Sequence, residues 1–378
     1  MRHILPSLVA PLMLCSGAFA QPAEYGESKT PPVGPPWVRD FATAQQMAAD
    51  QGKPIFVYST KTYCPHCVVM EKNLLVNPDL ASSYDDVIWM YVYQDFSHDE
   101  ADRKNERVAI RFGITSWPQH FLVDPYTMNV IGDTGRELNT FRTGVASAEP
   151  KVTQQAELTT QKLIEIDTIA ASLEGDDVKI DRAAEYLKHP DVVVRYRAVQ
   201  RVAKDDPARV VAAAAEILDT PHDQLRFLVC GLLAEHGDGS VREKLESLLT
   251  TPDGSKNPNV LRINAVKALA RCGDARSIDV IAPFATSGEG RNSLTKASID
   301  AIVSIAEHHA DAVEHAKDTL VRAFPTVPAD VPETELRFYR SVAVNAHAAL
   351  QKLTGEAHEF PTEYDNAARE ILIKAWSE

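Results

Sequence analysis

Residues 60–70, which carry two closely spaced cysteines, are Thr60-Lys61-Thr62-Tyr63-Cys64-Pro65-His66-Cys67-Val68-Val69-Met70. They follow an apolar run rich in aromatic and β-branched residues, Pro54-Ile55-Phe56-Val57-Tyr58-Ser59, which predicts a strand. The segment after the cysteines reads as a helix. Pro65 suits the first position of that helix, and this places Cys64 at its N-terminal cap. The sequence therefore predicts a strand that leads into a helix with both cysteines in its first turn.

This placement favours a thiolate at Cys64. The first N–H groups of a helix have no partner within the helix, and the positive end of the helix dipole favours an anion there. Cys67 lies one turn further along the same face, at roughly 5–6 Å, a separation that also suits a disulfide. His66 adds a second stabilising group, and a larger thiolate fraction speeds disulfide exchange. We expect Cys64 to be the nucleophile, Cys67 the resolving thiol and His66 a residue that tunes the pair.

Residues from about Trp37 to Gly144 resemble an exported thioredoxin-fold domain. The motif Cys64-Pro65-His66-Cys67 is similar to the redox motif of the DsbA-type disulfide oxidases. The flanking residues Lys53-Pro54, Met70 and Asn77-Pro78-Asp79 resemble the branch that includes the terminal domain of the DsbD-type reductases. Both resemblances imply an α/β thioredoxin fold. The first implies oxidation of substrate thiols and the second reduction of substrate disulfides, so the direction stays open.

The resemblance also implies a second element of the site, the loop Gly113-Ile114-Thr115-Ser116-Trp117-Pro118. In the thioredoxin fold this is the place of the cis-proline loop, which lies against the redox pair and offers backbone groups to the substrate chain. Pro118 is the matching residue. Trp117 departs from the small or aliphatic residue common before this proline: it either clamps a peptide or stacks on His66, or it simply packs the loop. The expected substrate-binding residues are Tyr63, Trp117 and Pro118.

A second departure from the resemblance lies at Tyr58, six residues before Cys64. Thioredoxin-like reductases carry a buried acid at this place, which handles the proton of the resolving thiol. A phenol with a pKa of about 10 is a poor base near neutral pH. Together with the Pro-His dipeptide, this departure favours oxidation over reduction.

Other uses of a cysteine pair fit the sequence less well. A haem attachment site needs a His directly after the second cysteine, and Val68 stands there. A zinc site would need two further ligands, and His120 is a single candidate that we expect on a strand surface. Copper transfer lacks a nearby Met- or His-rich tract. We therefore expect no metal and no cofactor.

The N-terminus predicts export. Residues 1–20 combine Arg2, an apolar run and the small-residue site Ala18-Phe19-Ala20, which indicates a signal peptide cut after Ala20 and a periplasmic or secreted protein. Pro6 and Pro11 interrupt the apolar run, which is shorter than the roughly 20 residues of a spanning helix, so no membrane span is expected in the mature chain. An exported location permits disulfide chemistry.

The charge of the chain is strongly negative, with a formal net charge of −14 that becomes −15 when Arg2 is removed with the signal. This balance argues against nucleic acids and anionic membranes as partners. Cys15 would leave with the signal, and in the remaining chain two cysteines lie outside the motif, Cys230 and Cys272. A disulfide between them is conceivable, but we favour buried small hydrophobic residues, since free cysteines are among the most buried residue types.

The 378 residues and their ordinary globular composition, 44% hydrophobic and 24% charged, predict two or three domains. The expected segments are a signal peptide (1–20), a flexible Pro-rich leader (21–36), a thioredoxin-like domain (37–148), a connecting helix (149–177) and an all-α solenoid (178–378). Within the thioredoxin-like segment the patterns predict further strands at 87–92 and 130–132 and helices at 101–112 and 136–145.

The last segment contains repeats. Val194–Ala203, Leu225–Asp238 and Leu261–Asp274 superimpose, and Leu294–Ile305 and Leu336–Leu350 give two more copies. Each copy has an apolar-faced helix, a turn and a second helix. The copies resemble short HEAT repeats of the phycobilin-lyase-like family, and this resemblance implies an α-solenoid with a concave surface suited to holding another protein.

The sequence thus predicts an exported thiol:disulfide oxidoreductase. Its expected partners are protein thiols and disulfides as substrates, an unidentified membrane redox partner, and a protein docked on the HEAT-like surface. The alternative is a HEAT-repeat scaffold whose thioredoxin-like domain is a redox switch or a metal-binding module.

Overall fold

The computed structural model describes residues 30–97, 99–153, 160–286 and 292–378. The expected signal peptide and residues 21–29 of the expected leader lie outside the described residues. So do residues 154–159 of the expected connecting helix.

The N-terminal part is built on a four-stranded mixed sheet with strand order β2-β1-β3-β4. Strand β1 pairs in parallel with β2 and antiparallel with β3, and β4 pairs antiparallel with β3. Because β1 and β2 are covered on both faces, they read as continuous apolar runs rather than as alternating ones. The strands are β1 Ile55–Lys61, β2 Ile88–Gln94, β3 Gln119–Val123 and β4 Val130–Gly132.

Helices cover both faces of this sheet. Successive β1 side chains point to opposite faces, so Ile55 and Val57 pack in one buried cluster and Phe56 and Tyr58 in another. The first cluster includes residues of α1 and α3, and the second includes residues of α2 and α4. The helices are α1 Phe41–Gln51, α2 Pro65–Met70, α3 Glu100–Phe112 and α4 Leu138–Ala148, and α2 continues as a π-helical turn, Glu71–Leu75.

The remainder of the chain is largely helical, and we call residues 160–378 the helical region. The sequence segments predicted as repeats are each centred on one helix, in order α7, α9, α11, α13 and α15, and each is followed by a second helix. Helices α9, α11, α13 and α15 pack successively against one another. The helices are α5 Thr160–Ser172, α6 Ile180–Ala184, α7 Val192–Asp205, α8 Pro207–Asp219, α9 Asp223–His236, α10 Arg242–Thr250, α11 Pro258–Cys272, α12 Ala275–Thr286, α13 Asn292–His308, α14 Val313–Arg322, α15 Glu333–Thr354 and α16 Asn366–Ser377.

The predicted fold class, an α/β thioredoxin-like part followed by an all-α part, is confirmed. Within the described part of the helix expected at 149–177, Thr160–Ser172 is helical, whereas Glu149–Lys151 form a 3₁₀ turn and Val152 has extended backbone. Among the residues that the structure describes, no helix is long and apolar enough to cross a bilayer.

One contact between the two parts runs through helix α3. Arg197 of α7 lies 2.8 Å from Glu106 and 2.9 Å from Glu174, and Glu174 is also 3.0 Å from Arg107 of α3. The side chains of Arg107, Arg197 and Glu174 are 9%, 6% and 11% exposed. Ile110 of α3 belongs to the hydrophobic core of the helical region. Helix α3 is therefore shared between the sheet and the helical region.

Candidate redox site

The redox turn joins β1 to α2. Cys64 is the N-cap of α2 with extended backbone, Pro65 is the first helical residue, and the Sγ of Cys64 accepts a hydrogen bond of 3.2 Å from the N–H of Cys67. The two cysteines form a disulfide with their Cα atoms 5.2 Å apart. They are 7% and 2% exposed. The predicted cap position of Cys64 and the predicted pairing with Cys67 are both confirmed, and the N–H that Cys64 faces is suited to stabilising a thiolate.

The residues around the pair are more open to solvent. Pro65 and His66 are exposed, and Tyr63 and Val69 are each 55% exposed. Tyr63 has a φ of 57°, which is uncommon for a residue other than glycine and recurs at functional sites. The pair is thus partly covered, while the surface beside it offers an exposed ring and an exposed imidazole.

The second predicted element, the proline loop, lies at the same end of the strands as the redox turn. The Trp117–Pro118 peptide bond is cis, as expected. Gln119, the next residue, pairs with Ser59 near the end of β1. Because β3 runs antiparallel to β1, the start of β3 lies beside the end of β1, from which the redox turn departs.

Trp117 packs the proline loop against the ends of β1 and β2. Its indole N–H donates to the side-chain oxygen of Gln94 over 3.1 Å, and the Nζ of Lys61 lies 4.4 Å from the centre of its ring. The ring of Phe96 meets it edge-on at 6.1 Å. These contacts support the alternative in which Trp117 packs the loop. Among the ring contacts of the described residues, none joins Trp117 to His66.

Comparison with known families agrees with this geometry. A family model described as thioredoxin-like matches residues 36–125, which include β1, the cysteine pair, β2 and the cis-proline loop. The N-terminal part of the chain is a thioredoxin-like domain. The searches of curated proteins and of solved structures returned no match.

The thioredoxin-like domain contains an acid near the redox pair that was not predicted from the sequence, Glu71. The hydroxyl of Tyr58 donates to the carboxylate of Glu71 over 2.9 Å and lies 3.4 Å from the carbonyl oxygen of Cys67. Burial raises the pKa of Glu71, and the hydrogen bond from Tyr58 opposes that rise. Burial and the neighbouring Glu71 raise the pKa of Tyr58 well above its usual value. The acid therefore stands at the end of α2 rather than on β1.

The sequence carried a signal for an acid near the redox pair, although not for its contact with Tyr58. Glu71 stands four residues after Cys67, the spacing that brings two side chains to the same face of a helix.

The prediction that His120 lies on a strand surface is wrong. Its side chain is 8% exposed, and its Nδ1 lies 2.9 Å from the hydroxyl of Thr134 and 3.5 Å from the carboxylate of Asp133. Burial lowers the pKa of His120. Strand β3 is covered on the face of His120 by the segment after β4, which the alternating pattern of a short strand does not show. Within the described residues, no group of three or more His, Cys, Asp or Glu side chains is placed to hold a metal ion.

The two cysteines of the helical region are free and buried. Burial raises the pKa of Cys230 to about 12 and that of Cys272 to about 11. Thiols with such pKa values contribute little thiolate near neutral pH. This supports the interpretation that both are small core residues.

Proposed function

We propose that the protein is a thiol:disulfide oxidoreductase that acts on protein disulfides through Cys64 and Cys67. The observation that carries the proposal is the position of Cys64: it caps a helix, its sulfur accepts an N–H hydrogen bond, and its partner Cys67 lies within disulfide distance. A structural disulfide would not require this arrangement beside a cis-proline loop.

In the reducing direction, the thiolate of Cys64 attacks one sulfur of a substrate disulfide. A mixed disulfide forms, and the other substrate sulfur leaves as a thiolate that takes a proton from water. Cys67 then loses its proton, attacks the sulfur of Cys64 and releases the second substrate sulfur. The substrate gains two electrons and the pair is oxidised to the disulfide; in the oxidising direction every step runs in reverse.

Glu71 is our candidate acceptor for the proton that Cys67 loses. It lies one helical turn beyond Cys67, and its raised pKa brings its protonation closer to neutral pH. The absence of an acid at Tyr58 therefore no longer favours oxidation by itself. The Pro-His dipeptide still does, because it stabilises the reduced form of the pair.

Residues around the pair would bind the substrate. The exposed His66 would stabilise the Cys64 thiolate, the exposed ring of Tyr63 would contact the substrate chain, and the backbone of Trp117 and Pro118 would orient it. We further propose that the protein acts outside the cytoplasm, in the periplasm or as a secreted protein, and exchanges electrons with a membrane redox partner. The helical region would dock a partner or substrate as a HEAT-like module.

Disulfide exchange with a peptide tests the proposal. The chain from residue 21 is incubated with a peptide that carries one disulfide and with reduced glutathione, and the free thiols of the peptide are followed. We expect turnover by the native protein, loss of turnover in Cys64→Ser, and a trapped covalent complex with the peptide in Cys67→Ser. A Cys230→Ser variant is the control and should turn over normally. If Cys64→Ser turns over like the native protein, the proposal is wrong.

A further inference from the structure

The helical region contacts the thioredoxin-like domain at the loop that carries the cis-proline. The side-chain amide of Gln224, in the first turn of α9, donates to the carbonyl oxygen of Ile114. The side-chain amide of Asn257, which caps α11, donates to the hydroxyl of Thr115 over 2.6 Å. Ile114 and Thr115 lie only a few residues before Pro118. Two successive repeats of the helical region thus contribute one hydrogen-bond donor each to this loop.

The same two repeats also contact the end of helix α3, from which the loop departs. The last carbonyl groups of a helix have no partner within the helix. Here the carbonyl of Ile110 contacts the Nε2 of His222, and the carbonyl of Phe112 accepts from the Nζ of Lys256 over 3.2 Å. The ammonium group of Lys256 is also favoured beside the negative end of the α3 dipole.

The contacting segments at the starts of α9 and α11 are linked by hydrogen bonds. Asp223 lies between His222 and Gln224 at the start of α9 and is 4% exposed. One of its carboxylate oxygens accepts from the backbone N–H groups of Lys256, over 2.9 Å, and Asn257, over 3.1 Å. The starts of α9 and α11 therefore form one connected set of donors rather than independent surface side chains.

We propose that Gln224 and Asn257 are positioning residues for the redox site, which hold the loop 113–118 in the conformation that binds the substrate backbone. This inference rests on the proposed oxidoreductase function. A loop that is held in place before binding loses less conformational entropy when the substrate pairs with it. The reactivity of Cys64 is set by the N-terminus of α2, to which neither residue belongs. The helical region is then part of the substrate-binding site. Substrate binding can therefore be weakened without a change in the reactivity of the Cys64 thiol.

The proposal predicts that turnover of a peptide and reaction with a small disulfide respond differently to the same substitution. In the full chain from residue 21, Asn257→Ala should raise the KM for a disulfide-bonded peptide about fivefold, the effect of losing one hydrogen bond, and leave kcat nearly unchanged. The rate at which the reduced protein reacts with a small aromatic disulfide, and the reduction potential of the pair, should stay at their native values. Asn264→Ala is the matched control, since Asn264 lies on the same helix and donates to Val260 of that helix.

A double-mutant cycle identifies the contact. Thr115→Val removes the other half of the Asn257 hydrogen bond with little change in shape, and the double variant should be no worse than either single one. Additive losses, an unchanged KM in Asn257→Ala, or an equal loss in the peptide and small-disulfide reactions would each overturn the proposal. A native protein without peptide turnover would instead show that the proposed function itself is wrong. Gln224→Ala provides a second, independent variant and should give the same separation of KM from thiol reactivity.

Discussion

The first turn of α2 shows how few residues are needed to specify the redox pair. Pro65 fixes the helix start, so Cys64 becomes the cap and Cys67 provides the N–H that its sulfur faces. Each of these positions follows from local rules of helix formation and was therefore predictable from the sequence.

The contact between Tyr58 and Glu71 was not predicted, because it joins a strand to a helix. Its two side chains meet only when β1 and α2 pack face to face, and the bond lies at the junction where α2 becomes a π-helical turn. The raised pKa of Glu71 leads to a prediction about stability.

We expect Glu71→Gln to stabilise the protein at pH 7 and to have little effect at acidic pH. Burial disfavours the charged form of Glu71, so its folded pKa lies above the unfolded one. The folded state therefore holds its proton to higher pH than the unfolded state, and stability falls as the pH rises through the folded pKa. Urea unfolding of both proteins at pH 4 and pH 7 measures the difference.

Glu100→Gln is the control for this experiment. The side chain of Glu100 is 87% exposed and should give nearly the same stability change at both pH values. A Glu71→Gln variant that is less stable than the native protein at pH 7 would show that ionised Glu71 is favoured in the folded state.

At the scale of the elements, sequence patterns gave the strands and helices of the thioredoxin-like domain to within a few residues. The helix expected at 136–145 is observed as α4, Leu138–Ala148, and the strand expected at 87–92 as β2, Ile88–Gln94. Of the connecting helix expected at 149–177, the described residues show Thr160–Ser172 as helix, whereas Glu149–Lys151 form a 3₁₀ turn and Val152 is extended.

Two glycines, one that follows the end of a helix and one inside a helix, should respond in opposite directions to replacement by alanine. Gly113 ends α3 with a φ of 63°, and an added Cβ would meet only the ring of His222 at 3.7 Å, so Gly113→Ala should cost about 1–2 kcal/mol for the left-handed backbone alone. Gly231 lies inside α9, where an added Cβ meets nothing, and Gly231→Ala should gain about 0.5–1 kcal/mol.

Denaturant unfolding of these two glycine variants measures the direction in which each substitution changes the free energy of unfolding. A stabilising Gly113→Ala would contradict the left-handed cap of α3. A destabilising Gly231→Ala would mean that the exposed face of α9 at this position is covered by something else.

At the scale of the whole molecule, a largely helical C-terminal region was predictable from the sequence and the contact between the two parts was not. The polar part of the contact is made by arginine, glutamate, asparagine and glutamine side chains, which a sequence alone assigns to the solvent-exposed surface. Their burial follows from the way α7, α9 and α11 approach the thioredoxin-like domain, and no local pattern encodes that approach.

The buried charges at this contact predict a large effect of one substitution. Arg197→Ala removes the positive charge that pairs with Glu106 and Glu174. Removal of one partner of a buried ion pair costs about 3–5 kcal/mol. We expect lower stability and a separate, earlier loss of contact between the two parts, measured by denaturant unfolding with Trp and far-ultraviolet signals recorded together. Arg209→Ala, which removes exposed ion pairs, should change little. Equal effects of the two substitutions would show that the buried charges are not needed for this contact.

The reduction potential of the Cys64–Cys67 pair, measured in glutathione buffers, tests the central claim most directly. A catalytic pair should cycle reversibly with a potential between about −270 mV, as in thioredoxin, and about −120 mV, as in the DsbA-type oxidases. A value near the upper end would identify a donor of disulfides, and one near the lower end a reductase. A pair that stays oxidised below about −300 mV, as structural disulfides do, would contradict the account.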